Sequence, residues 1–211
     1  TSSKTAKRVH AVFNKMVPYA DQANETGQQF NWQINVIKSK ELNAWAMPGG
    51  KMAFYTGLVD TLQLNDNEIA VVMGHEMAHA LKEHGKAKVN FGMATNIAAS
   101  LGHAALSTVI GSSASELAVG LTKDFALDKP YSRSAETEAD EVGLMLMARS
   151  GYNPQVAPGL WQKMAKASGG SKGALDVLAS THPSDESRQE NLQRLLPEAM
   201  ELYKAAKNKN G

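Results

Sequence analysis

Two histidines four residues apart, with a glutamate directly after the first, constrain this chain more than any other feature: His75-Glu76-Met77-Ala78-His79. The imidazoles can share one partner if the segment is an α-helix, because 3.6 residues per turn stack positions i and i+4 on one face. They then reach the same tetrahedral metal. Glu76 lies about 100° round the helix from His75, close enough to touch a metal-held water without taking a ligand position. Ile69, Val72, Met73 and Ala80 add an apolar stripe, which predicts a mostly buried helix over 66–85. Asn65 or Asp66 can cap its start and Gly85 can end it. The plain alternative, a surface helix with two incidental histidines, fits that stripe poorly. Buried imidazoles and a carboxylate want a metal or hydrogen-bond partners, because unsatisfied polar groups are costly to bury.

Composition narrows what the metal can be held by. The chain has no cysteine, so any ligands are imidazoles and carboxylates. Its 22 basic and 21 acidic residues nearly cancel, which argues against nucleic acid or a charged membrane surface as partner. Membrane attachment is expected only through a lipid anchor lost with a segment ahead of Thr1. With 211 residues and 43% hydrophobic content, a single domain over 1–211 can bury a full core.

The remaining segments arrange themselves around that helix. An N-terminal helix within 1–28 carries Ala6, Val9, Phe13, Met16 and Ala20 on one face, disturbed near Pro18. A small sheet follows over 30–56. It begins with a strand alternating Phe30, Trp32, Ile34 and Val36 against polar residues. A short strand from Asn43 stops at Pro48-Gly49-Gly50, and Lys51 to Tyr55 returns. One edge of this sheet is suited to holding an extended peptide by main-chain pairing. Residues 89–115 carry no charge, but their Gly, Ser, Thr, Asn96 and His103 disqualify them as a membrane span. They read as a buried helix and a loop, a possible lid over 89–125, with His103 a satisfied core histidine.

A second strong helix is predicted over 132–150, with Ala135, Ala139, Val142 and Leu146 inward and Gly151 at its end. Asn153-Pro154 starts a third helix, closed by Gly169-Gly170. The last helical segment, 184–207, buries Leu192, Leu195 and Ala199, bends or breaks at Pro197 and frays from Lys204. The fold class is therefore α+β, mainly helical, with a small β-sheet beside the active-site helix.

A catalytic metal needs a third protein ligand and one open position. Glu136, Glu138, Asp140 and Glu141 are the candidates. Glu136 and Asp140 share one face beside the apolar stripe, whereas Glu138 points away towards solvent. Such a pair suits one ligand plus one acceptor for the N–H of a ligating histidine. The alternative is an exposed acidic face pairing with Arg133.

His-Glu-x-x-His is the zinc-protease signature, and further blocks extend the likeness. Asn43 to Gly50 resembles the Asn-Ala-x-Ala-x-Pro-Gly-Gly block of the HtpX, BepA and LoiP metallopeptidases. Ser132-Arg133 through Glu136 and Asp140, and Thr181-His182-Pro183 to Arg188, resemble two more blocks in that family's order. The resemblance implies a zincin-like fold of the gluzincin type, with one Zn2+ per chain. It makes His75, His79 and Glu136 the metal ligands, with Asp140 beside them. It implies a zinc endopeptidase acting on polypeptides, plausibly misfolded or unassembled envelope proteins. The implied setting is the periplasm, as in LoiP-like outer-membrane lipoproteins. Glu76 would accept a proton from the attacking water and pass it to the leaving amine. The zinc, with His182, Tyr131 or Arg188, would stabilise the oxyanion. His182 is alternatively read as occupying the open metal position and holding the enzyme latent. A chaperone-like binding module with a latent zinc site is the competing expectation.

Overall fold

The amphipathic start of the chain forms helix α1 (Lys4–Gln22), whose cap Ser3 accepts a hydrogen bond from the Ala6 N–H. Val9, Val12, Phe13, Met16 and Ala20 form its buried face, and Pro18 lies inside the helix without ending it. These and all later statements come from a computed structural model that describes residues 3–84, 130–170, 178, 181–182 and 185–210. The lid expected over 89–125, with His103, lies outside the described residues, as do Gly85 and Pro183.

Three short strands follow: β1 (Gln33–Ile37), β2 (Ala44–Ala46) and β3 (Lys51–Tyr55). Their order in the sheet is β1-β3-β2, with β1 parallel and β2 antiparallel to β3. The β2–β3 reversal occurs at the expected turn, where the Gly50 N–H donates to the Met47 carbonyl at 3.2 Å. Gly49 and Gly50 have φ of 93° and 102°, which side chains rarely adopt. A Cβ on Gly50 would also lie 3.2 Å from the Trp32 ring. The strand expected from Phe30 is shorter than its alternation suggested, beginning only at Gln33. β2 is an edge strand and packs against the helix that carries His75.

After α2 (Thr56–Leu62), α3 (Asp66–Leu81) carries the His-Glu-x-x-His motif. Asn65 and Glu68 form a reciprocal capping box: each side chain accepts from the other's backbone N–H, at 2.9 and 3.1 Å. α3 is buried from Glu68 to Leu81 on every side, not along a single stripe. It stops at Leu81, short of the expected end at Gly85, and Glu83 turns the chain with a left-handed φ of 57°.

α3 packs chiefly along α4 (Arg133–Arg149), which begins where Ser132 accepts from the Ala135 N–H. The two helices touch at glycines. A Cβ on Gly74 would lie 2.7 Å from the Gly143 carbonyl oxygen, and one on Gly143 would lie 2.7 Å from the His75 nitrogen. Asn153 caps a 3-10 turn (Pro154–Val156) that runs into α5 (Ala157–Gly170). Gly169 and Gly170, expected to close that helix, are its last residues. α6 (Glu186–Asn210) accommodates Pro197 and stays helical to Asn210, beyond the fraying expected from Lys204. The result is a mainly helical α+β fold with a three-stranded sheet, consistent with a zincin fold. Among the described residues, no helix is long and apolar enough to cross a membrane.

Candidate metal centre

One turn of α3 separates His75 from His79, and the helix delivers their Nε2 atoms to within 3.1 Å of each other. Glu136, in the first turn of α4, faces both. Its Oε1 lies 2.9 Å from His79 Nε2 and its Oε2 3.2 Å from His75 Nε2. His182 comes from the chain just before α6. Ligand atoms of His75, His79, Glu136 and His182 all lie within 4.8 Å of one another, and all four residues are buried. A tetrahedral zinc with ligands at about 2.0–2.1 Å has ligand-to-ligand edges of about 3.3 Å, close to the three short separations here.

The polar atoms call for a cation. Among the described residues, His75 Nδ1, both Glu136 oxygens, both Glu76 oxygens and His182 Nε2 are buried without an aligned hydrogen-bond partner. His182 Nε2 does approach Glu76 Oε1 at 2.9 Å. That is contact distance without hydrogen-bond alignment, so we take these atoms as unsatisfied. His182 Nδ1 lies 3.1 Å from the Leu178 carbonyl and 2.9 Å from Thr181 Oγ1, which leaves Nε2 as the ring nitrogen facing the ligand group. Bare imidazole nitrogens and carboxylate oxygens with no cysteine suit zinc.

Around this set lies a supporting layer. Asp140 Oδ1 is 3.1 Å from His75 Nδ1, the ring atom that faces away from the other ligands. Arg188 donates to both Asp140 oxygens, at 2.6 and 2.7 Å, and its Nη1 lies 3.0 Å from Glu136 Oε2. The same Nη1 donates to the His182 carbonyl at 3.3 Å, and the guanidinium lies over the Trp161 ring. Arg188 thus ties α6 to α4 beneath the ligands. Tyr131 stacks face to face on the His79 ring, with centroids 3.7 Å apart.

Charge and burial oppose each other throughout. Burial disfavours a charged His75, but the Glu136 and Asp140 carboxylates outweigh it and raise its pKa to about 9. His79, with less carboxylate around it and His75 beside it, is pushed well below the usual histidine value by burial. Burial would raise the Glu136 carboxyl, yet the neighbouring His182 and His75 bring it far below the carboxylate range. Asp140 is likewise lowered, against burial, by the Arg188 hydrogen bonds. Tyr131 is raised by burial and by the nearby Glu76 and Glu136 charges.

The structure therefore brings together His75, His79, Glu136 and His182, with Glu76 and Asp140 against them. Tyr131 and Arg188 also border the cluster, Arg188 through the carboxylates rather than towards open space. Glu138, expected to face solvent, is 48% exposed but lies 2.7 Å from His84 Nε2. His84 in turn sits 2.9 Å from His79 Nδ1. His84 went unnoticed in the sequence. Its only signal was a third histidine five residues past the motif, a spacing that no continuous helix would place beside His79.

With this geometry established, known proteins can be compared. A family model described as Peptidase family M48 matches residues 3–196. The chain is 35% identical over 176 residues to the mitochondrial metalloendopeptidase OMA1 of Arabidopsis thaliana, covering 82% of this chain and 34% of that protein. It is 36% identical over 168 residues to OMA1 of Schizosaccharomyces pombe, covering 80% of this chain and 48% of that one. Metalloprotease LoiP of Escherichia coli is 28% identical over 191 residues, covering 90% of this chain and 70% of LoiP. The chain thus spans a third to a half of the length of these mitochondrial relatives. The likeness is shared between mitochondrial and bacterial relatives and does not single out a LoiP-like branch. With a matching family model over nearly its whole length and the buried His/Glu metal cluster in place, the chain belongs to peptidase family M48, a family of zinc metalloproteases.

Proposed function

We propose that this chain is a zinc-dependent endopeptidase whose metal is held by His75, His79 and Glu136. The observation that carries this is the convergence of their ligand atoms, at 2.9 to 3.2 Å, in a buried cluster beside an unsatisfied Glu76 carboxylate. A bound zinc would supply Lewis acidity, polarising the scissile carbonyl and making water a better nucleophile. The protein does the rest. A Glu76 oxygen accepts the proton as the water oxygen attacks the carbonyl carbon, then returns it to the amide nitrogen as the C–N bond breaks. Asp140, braced by Arg188, fixes the His75 ring through Nδ1. β2, an edge strand among the described residues, would hold an extended substrate strand by main-chain pairing. The resemblance of its sequence blocks to LoiP-like lipoproteins supports a periplasmic setting on an outer-membrane lipid anchor, with misfolded or unassembled envelope proteins as substrates.

His182 favours a second reading of the same site, a latent state. Its Nε2 faces the ligand group and contacts Glu76, so with its ring proton on Nδ1 it would occupy the position that a substrate carbonyl needs. In that state the protein would bind polypeptides without cutting them. Elemental analysis paired with casein cleavage separates these readings. The endopeptidase should hold about one zinc per chain and lose cleavage with a chelator. Absence of any first-row metal, even after zinc addition, would sink both. If His182 enforces latency, His182→Ala keeps zinc and cuts casein faster. If it stabilises the oxyanion, the same variant cuts more slowly.

A further inference from the structure

The supporting layer around the two histidine ligands is asymmetric. His75 has a carboxylate directly at its Nδ1, the buried and Arg188-braced Asp140. Among the described residues, His79 has no carboxylate there. Its Nδ1 instead meets another imidazole, His84 Nδ1, at 2.9 Å, and His84 Nε2 meets Glu138 Oε1 at 2.7 Å.

Counting protons along this row assigns each of them. An ionised carboxylate only accepts, so Glu138 requires the His84 proton on Nε2. A neutral His84 then has a bare Nδ1, which can only accept. With zinc at Nε2 in place of the 2.9 Å contact to Glu136 Oε1, His79 would then carry its proton on Nδ1. No other arrangement of neutral rings satisfies both short contacts. Tyr131 stacked flat on His79 holds the ring in the plane that this row needs.

The backbone is shaped to make the row possible. An uninterrupted α3 would carry position 84 about 140° away from His79 round the axis. The helix stops at Leu81 instead, and Glu83 adopts a left-handed φ of 57°. A residue with a Cβ reaches that region at a cost, and glycine or asparagine usually fills it at helix ends. The turn brings His84 back across the end of the helix, where its side chain is only 12% exposed.

We infer that His84, held by Glu138, is a positioning residue for the metal site: it accepts the His79 Nδ1 proton and so presents His79 Nε2 to zinc. The inference rests on the zinc-peptidase reading above and adds two residues to it. It also gives half-exposed Glu138 a role that its orientation on α4 does not suggest.

The test compares His84→Gln with His84→Leu. Glutamine keeps an acceptor oxygen of similar reach, whereas leucine keeps bulk without one. Zinc affinity would be measured by competition with a chromophoric chelator, and folding by circular dichroism and thermal melting. The expected result is a loss of about 10–100-fold in zinc affinity for His84→Leu, the range for lost outer partners of ligating histidines, and clear recovery in His84→Gln. Glu138→Ala should weaken zinc by a smaller factor, and Glu141→Gln on the same helix should leave it unchanged. A long-range proton–nitrogen correlation spectrum of the zinc-loaded wild type should show His79 protonated on Nδ1 and His84 on Nε2. Because Glu138 is half exposed, Glu138→Ala and the wild-type spectrum test the idea even if His84→Leu misfolds. Equal zinc affinity in wild type, His84→Leu and Glu138→Ala would overturn this inference while leaving the peptidase reading intact, as would a His84 proton on Nδ1. A wild type that binds no zinc would overturn both.

Discussion

Glu76 is the residue on which the proposed chemistry turns. It is wholly buried next to the ligand cluster, and no hydrogen bond among the described residues fixes either oxygen. A carboxylate left unsatisfied in a protein interior costs stability, so its retention points to a role beyond folding. Glu76→Gln preserves shape and removes the ability to take a proton. It should keep zinc and its melting temperature while losing about 10²–10⁴ in turnover, the usual worth of a positioned acid–base group. Cleavage within a few-fold of wild type would remove Glu76 from the proton path.

At the scale of elements, the site is a crossing of two helices. α3 supplies His75, Glu76 and His79, and α4 supplies Glu136 and Asp140, so their relative position depends on how closely the helices approach. Gly74 and Gly143 set that approach. A Cβ on Gly143 would lie 2.7 Å from the His75 nitrogen and 2.8 Å from the Gly74 carbonyl carbon, both backbone atoms that cannot swing aside. Gly143→Ala should therefore push the helices apart. Forced overpacking of this kind costs roughly 1–3 kcal/mol, and here it should also weaken zinc because His75 moves away from Glu136 and Asp140. Denaturant unfolding and zinc competition measure the two effects. Wild-type values for both would mean that the crossing has slack that the glycine contacts do not suggest.

Across the whole molecule, the metal and the fold are linked. The cluster of His75, His79, Glu136 and His182 draws on three stretches far apart in the chain, so zinc bound only by the native state stabilises all of them together. At free zinc about a hundredfold above Kd the gain is about 2.7 kcal/mol, or roughly 5–10 °C in Tm for a domain of this size. The pH dependence should differ between the two forms. In the metal-free protein the His75 pKa is raised from 6.5 to about 9. A raised value stabilises the fold fully below pH 6.5, and that contribution is lost as pH climbs through 9. The chelated protein should therefore lose stability between those values. Zinc replaces the proton on His75, so the loaded protein should not show that loss, and zinc affinity should rise with pH over the same window. Parallel pH profiles for both forms, read by denaturant midpoints, would contradict a proton standing in for the metal.

Some of this was legible in the residues alone, because it depends only on local geometry. Backbone hydrogen bonds fix the helical period, so His75 and His79 had to share a face once Asn65 to Leu81 became helical. Pro48-Gly49-Gly50 could only reverse the chain, since two consecutive positive φ angles need glycine. Ser132 and Asn153 marked helix starts by side chains that satisfy free N–H groups. What lay beyond reach depends on contacts between distant segments. The pattern of α3 suggested one buried stripe, but burial on every side follows from how many neighbours surround it. A helix-face argument could group Glu136 with Asp140, but only the Gly74–Gly143 crossing determines that they meet His75. The resemblance named Arg188 and His182, but their places beneath and among the ligands are set by how α6 docks, which no periodicity records. His84 was hidden for a related reason. Its place beside His79 comes from a single left-handed residue, Glu83, whose type does not announce that turn.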